Sequence, residues 1–130
     1  MTDGPTPPKK SWTRKFAAAF NGLKVGIHGH SSFFVHFFFA ALVVATAVVL
    51  QVSAAHWAIL IGCIGLVLTA ELFNSAVETL FRGLDEETKA RTWPALDVAA
   101  GAVLMASVTA AVVGLIVFLS HVLGAPPHAG

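Results

Sequence analysis

Apolar residues fall into three long runs separated by short polar links. Phe33 to Leu50 is a run of 18 residues broken only by His36 and Thr46. At about 1.5 Å per residue it covers roughly 27 Å, close to the hydrocarbon thickness of a bilayer. A second run opens at Trp57, stays uncharged to Ala70, and continues helically to Phe81 with polar residues on one face. A third runs from Val98 to about Leu119 without a charge. Strands crossing a membrane would be half as long and would alternate. The pattern predicts an all-α integral membrane protein with spans over about 33–51, 56–82 and 95–120, forming one domain over 31–123.

Upstream, Trp12, Phe16, Phe20, Leu23 and Ile27 recur at helical spacing, while Arg14, Lys15, Asn21 and Lys24 take the other faces. This predicts an amphipathic helix over 11–30, suited to lying on a membrane surface or packing against the bundle. Gly29, Ser31 and Ser32 supply the bend into the first span. Residues 1–10, with three prolines, read as a flexible tail, and 124–130 as a second tail on the opposite side.

Charge adds an orientation. Lys9, Lys10, Arg14, Lys15 and Lys24 precede the first span, and Arg82, Lys89 and Arg91 lie between the second and third. The 51–56 link and the last eleven residues carry none, so the N-terminus and the 82–94 loop are expected on the cytoplasmic side of a bacterial inner or plasma membrane. The first run is longer than the core of a signal peptide and a second follows at once, so an uncleaved span is expected. Only 12% of the 130 residues are charged and 56% are hydrophobic, which excludes a disordered chain. A formal charge of +1 offers no basic excess for nucleic acid, and no soluble protein partner is implied. Cys63 is the sole cysteine, so intrachain disulfides and cysteine-based zinc sites are ruled out.

Carboxylates inside an apolar helix need a reason, since each costs roughly 2.5–3.5 kcal/mol or more at mid-bilayer. At 100° per residue Glu71 and Glu78 lie within about 20° of each other and Asn74 about 60° away, so all three share a face. Glu71 is 15 residues beyond His56, about 22 Å along the helix, near headgroup depth, and Glu78 is about 10 Å further toward water. Asp97 opens the third span on the same side, just after Pro94. Such a spread suits division of labour: one group for a substrate at headgroup depth, another for a metal or nucleotide near water. Structural roles compete, with Asn74 as interhelical glue and Asp97 as a helix cap. His28, His30 and His36 read either as a metal cluster or as interfacial side chains bonded to backbone and headgroups. The stripe Ala106, Ala110, Gly114 permits close helix packing. Three spans enclose a polar site poorly, which points to homo-oligomerisation.

Ala70-Glu71-Leu72-Phe73-Asn74-Ser75-Ala76-Val77-Glu78 resembles the E-x-x-N-[ST]-A-x-E motif of the prokaryotic diacylglycerol kinase family, which includes undecaprenol kinases. Ala95-Leu96-Asp97 through Ala102-Val103-Leu104 is similar to its A-K-D-x-x-x-x-A-V-L segment. Phe16-x2-Ala19-x2-Gly22-Leu23-Lys24 and Ser32-Phe33-Phe34-Val35-His36 match its surface helix and first-span entry. The resemblance implies a homotrimeric lipid kinase with composite sites at subunit interfaces, moving the γ-phosphate of ATP, with Mg²⁺ or Mn²⁺, to the hydroxyl of diacylglycerol or undecaprenol. By position Glu71 would be the catalytic base, supported by Asn74. Glu78 and His30 would hold the metal, and Glu78, Asp97, Glu87 and Lys89 the nucleotide. Three departures stand out. Leu96 replaces the family lysine expected at ATP phosphates, His30 replaces a glutamate metal ligand, and Arg82 replaces an aspartate. Arg82 or Arg91 is expected to restore the missing positive charge. The competing functions are a catalytically degenerate scaffold that binds lipid or nucleotide and a proton-coupled transporter; carboxylates clustered at one side disfavour the latter.

Overall fold

The computed structural model describes Gly4 and residues 11–124; the expected tails over 1–10 and 124–130 otherwise lie outside the described residues. Five helices follow one another: α1 (Trp12–His28), α2 (Ser32–Leu50), α3 (Ala54–Arg82), α4 (Glu86–Thr92) and α5 (Pro94–Leu123). There is no strand among the described residues. α2, α3 and α5, at 19, 29 and 30 residues, are long and apolar enough to cross a membrane.

Local chemistry sets the boundaries. Ser11 begins α1 by accepting from the Arg14 N–H. Gln51 ends α2 in the left-handed region at φ 51°, and Val52 N–H returns to Ala47 O at 3.3 Å. Ser53 then caps α3, its hydroxyl oxygen accepting from His56 N–H at 3.2 Å. Three residues thus reverse the chain between two spans. Pro94 starts α5, where its missing N–H costs nothing.

The main packing seam joins α3 to α5, with α2 laid against α3. Ala106 and Gly114 of the small-residue stripe are buried. Ala47, Val52, Leu60 and Val117 form a core at the α2–α3 turn, closed by Trp57, Val113 and Phe118. Much of the remaining apolar surface, including Phe34, Phe38, Val49, Phe73 and Met105, faces outward. In a bilayer that surface meets hydrocarbon, and close packing rather than water exclusion holds the helices. α1 leans on α3 at Gly26, where a Cβ would come within 2.7 Å of Leu72 Cδ2 and the Leu72 side chain would have to shift.

One expectation needs correction. The 82–94 link is not simply a loop, because Glu86–Thr92 forms α4. Asp85 caps it, accepting from Thr88 N–H and from the Thr88 hydroxyl, both at 2.9 Å. Glu86 and Glu87 occupy its first turn and Lys89 and Arg91 its last, complementing the helix dipole. The Thr88 backbone bond, then its hydroxyl, hold the Asp85 carboxyl below its ordinary value of 3.8. A lowered folded pKa means that the cap contributes above the unfolded value and is lost as pH falls through the folded one. Asp85→Ala is therefore expected to lower the exchange protection factors of the Thr88 and Lys89 amides at neutral pH, as acidification through the lowered carboxyl pKa does in the wild type. Unchanged exchange would mean that packing on α5 alone holds α4.

Candidate active site

The C-terminal part of α3 carries buried polar groups where its apolar flanks would suggest none. Glu71 is 3% exposed, Ser75 3% and Asn74 9%. A carboxylate this deep must have both oxygens partnered. Ser32 Oγ donates to Glu71 Oε1, and His36 Nε2 lies 3.3 Å from Glu71 Oε2. Both partners come from the first turns of α2, four residues apart on one face.

One and two turns onward the same face continues. Asn74 Nδ2 donates to Glu78 Oε1 at 3.0 Å, and His30 Nδ1 pairs with Glu78 Oε2 at 3.1 Å. The Glu78 side chain is 39% exposed, so this second carboxylate reaches solvent while Glu71 does not. A single stretch of seven residues, 30–36, thus holds both carboxylates of α3. Sequence reasoning gives Ser32 no place in the site and reads His36 as a metal ligand or interfacial side chain rather than as a partner of Glu71. Their signal was two polar residues at i and i+4 entering an otherwise apolar span.

The other expected site residues lie apart from this network. Asp97 is exposed on the first turn of α5 and makes no hydrogen bond or ion pair with the described residues. Lys89 pairs with Glu86 at 3.1 Å and Arg91 with Glu87 at 2.6 Å, so Glu87 and Lys89 are engaged within α4. Arg82 contacts only the Thr79 hydroxyl, at 3.3 Å, and has no carboxylate partner among the described residues. The three histidines do not gather into a metal cluster. His28 is exposed, His30 goes to Glu78 and His36 to Glu71. No group of three or more candidate ligands forms among the described residues.

Two donors, a carboxylate oxygen and an imidazole nitrogen, fit a divalent cation only as half a site, with the remaining positions left for water and phosphate oxygens. That is a common arrangement where a metal travels with a nucleotide. On the other side of Glu71, His36 lines a largely apolar cavity of about 420 Å³ between α2, α3 and α5, with Val35, Phe39, Leu60, Val67 and Ala110. His36, bonded to Glu71, is the polar side chain that links this cavity to the carboxylate.

No curated protein and no solved structure matches the chain. The family model for prokaryotic diacylglycerol kinase matches residues 17–118, a stretch that takes in α2, α3, α4 and most of α1 and α5. On that match, covering well over half of its length, the chain belongs to the prokaryotic diacylglycerol kinase family.

Proposed function

We propose that the protein transfers the γ-phosphate of ATP to the hydroxyl of a membrane lipid, diacylglycerol or undecaprenol. The observation that carries this reading is the buried Glu71 carboxylate, joined through His36 to an apolar cavity that His36 lines, seven residues from the more exposed Glu78.

In this reading Glu71 accepts the proton of the lipid hydroxyl, and Ser32 and His36 fix the direction of its two oxygens. Asn74 orients Glu78 by its bond to Oε1. Glu78 and His30 would hold Mg²⁺ or Mn²⁺, and a divalent ion there would neutralise charge on the phosphoryl group in transfer. Phosphoryl transfer asks mainly for positioning and charge neutralisation, so a protein with few polar groups suffices. The basic residues at the α1 and α4 end favour placing that end in the cytoplasm, with α1 along the leaflet. Asp97, Glu87 and Lys89 complete the nucleotide contacts, and a homotrimer supplies walls that one chain lacks.

Leu96 offers no charge to phosphate. Lys89 and Arg91 each share their charge with an α4 carboxylate, whereas Arg82, one turn past Glu78, has no carboxylate partner among the described residues, which favours it as the cation that makes up for Leu96. Arg82→Gln is expected to raise KM for ATP roughly 10- to 100-fold, the cost of one charge-assisted hydrogen bond, with KM for lipid unaltered. Equal ATP affinity in the variant would assign that charge elsewhere.

The direct test is phosphorylation by purified protein in mixed micelles, with diacylglycerol and undecaprenol offered separately under Mg²⁺ and Mn²⁺. The side chains His36 and Asp97-Val98-Ala99-Ala100-Gly101 lean toward undecaprenol. Product from either lipid supports the kinase and names its substrate. Folded protein that turns over neither would overturn it in favour of a binding role.

A further inference from the structure

We propose that Ser32 is itself a phosphoryl acceptor, so that with ATP present and no lipid hydroxyl in the site the protein phosphorylates its own α2 N-terminus. The inference rests on the kinase reading above and adds a second acceptor to it.

The argument begins with the hydrogen bond on the base. Ser32 Oγ donates to Glu71 Oε1, which is the contact any alcohol must make before Glu71 can take its proton. Ser32 is half-buried and Glu71 almost fully so, which keeps water from competing for that oxygen. Other hydroxyls of the region are directed elsewhere. Thr79 donates to Ser75 O at 2.8 Å, and Ser75 Oγ is buried with no partner. Two residues before Ser32, His30 sits 3.1 Å from Glu78 Oε2, the carboxylate assigned to the metal. The Ser32 hydroxyl therefore lies on the short stretch of chain that joins the base to the phosphate-binding end.

The product is also accommodated. Ser32 is the first residue of α2, and that helix starts without a side-chain cap, so a phosphate there meets the positive end of the helix dipole. It also meets the Glu71 carboxylate, whose charge repels it. Phosphoserine must therefore swing off Glu71, and while it remains beside the site it obstructs a lipid hydroxyl. The step is balanced. The Ser32 O–H bond breaks and its proton passes to Glu71. A bond forms between Oγ and the γ-phosphorus as the bond from that phosphorus to the β,γ-bridging oxygen breaks, and ADP leaves. Nothing is oxidised or reduced.

The experiment incubates the full-length protein in micelles with γ-labelled ATP and Mg²⁺ or Mn²⁺, with and without lipid alcohol, and locates label by peptide mass spectrometry. Phosphoserine at Ser32 is expected without lipid, and saturating lipid should suppress it at least tenfold by competing for Glu71. Label should vanish in Ser32→Ala and in Glu71→Gln, and should reappear on the threonine of Ser32→Thr. Lipid phosphorylated while Ser32 stays bare in the lipid-free arm would overturn the inference and spare the kinase reading. Label confined to another residue would overturn it equally. Neither lipid nor protein labelled would overturn the kinase reading and the inference with it.

Discussion

Glu71→Gln is expected to lower lipid phosphorylation by roughly 100- to 10,000-fold, the range lost when a general base is removed. The substitution keeps the shape of the side chain and its hydrogen bonding. An amide oxygen still accepts from Ser32, and an amide nitrogen still donates toward His36 Nε2, so no buried polar group is orphaned. What disappears is the capacity to take a proton. The loss should therefore fall on kcat, with KM for ATP little changed and helicity by circular dichroism intact. A residual activity within tenfold of wild type would move the base to another group, and His36 would be the first to examine. A variant that fails to fold is not expected here, in contrast to Glu71→Ala. That truncation would leave Ser32 and His36 facing a hole among apolar side chains.

The sequence made the three spans legible because length and hydropathy suffice to identify them. Their ends in the structure fall at Ser32–Leu50, Ala54–Arg82 and Pro94–Leu123. The common face of Glu71, Asn74 and Glu78 was equally readable, because it follows from helical periodicity alone. α4 was not legible because it buries no apolar stripe, so hydrophobic periodicity does not mark it. Its own signals were polar: an aspartate cap, acidic first turn, basic last turn and a Glu87–Arg91 pair four apart. Ser32 and His36 escaped for a different reason. Their meeting with Glu71 depends on how α2 lies against α3, and 35 to 39 residues of sequence separate the partners. Periodicity reports faces within a helix and is silent on which faces meet. His30 lies between these cases: the family resemblance pointed it at the metal, and the structure brings it to Glu78.

That His30–Glu78 pair carries the second large effect. Glu78→Gln is expected to reduce activity about 100-fold at fixed metal, since an amide oxygen binds a hard cation far less well than a carboxylate, and to raise the metal concentration needed for half-maximal rate. The amide still accepts from Asn74, so the fold should hold and added metal should recover part of the loss. His30 tunes which metal serves. An imidazole nitrogen suits Mn²⁺ better than Mg²⁺, whereas an all-oxygen pair favours Mg²⁺. His30→Glu should shift the ratio of Mg²⁺- to Mn²⁺-supported activity toward Mg²⁺. It would also set two carboxylates where an imidazole and a carboxylate now lie 3.1 Å apart. Like charges so close repel unless a cation bridges them, so thermal stability of the variant should depend on metal more steeply than that of the wild type. An unaltered metal ratio together with the wild type's metal dependence of melting would show that His30 only orients Glu78, leaving the cation to be held by Glu78 and groups from elsewhere.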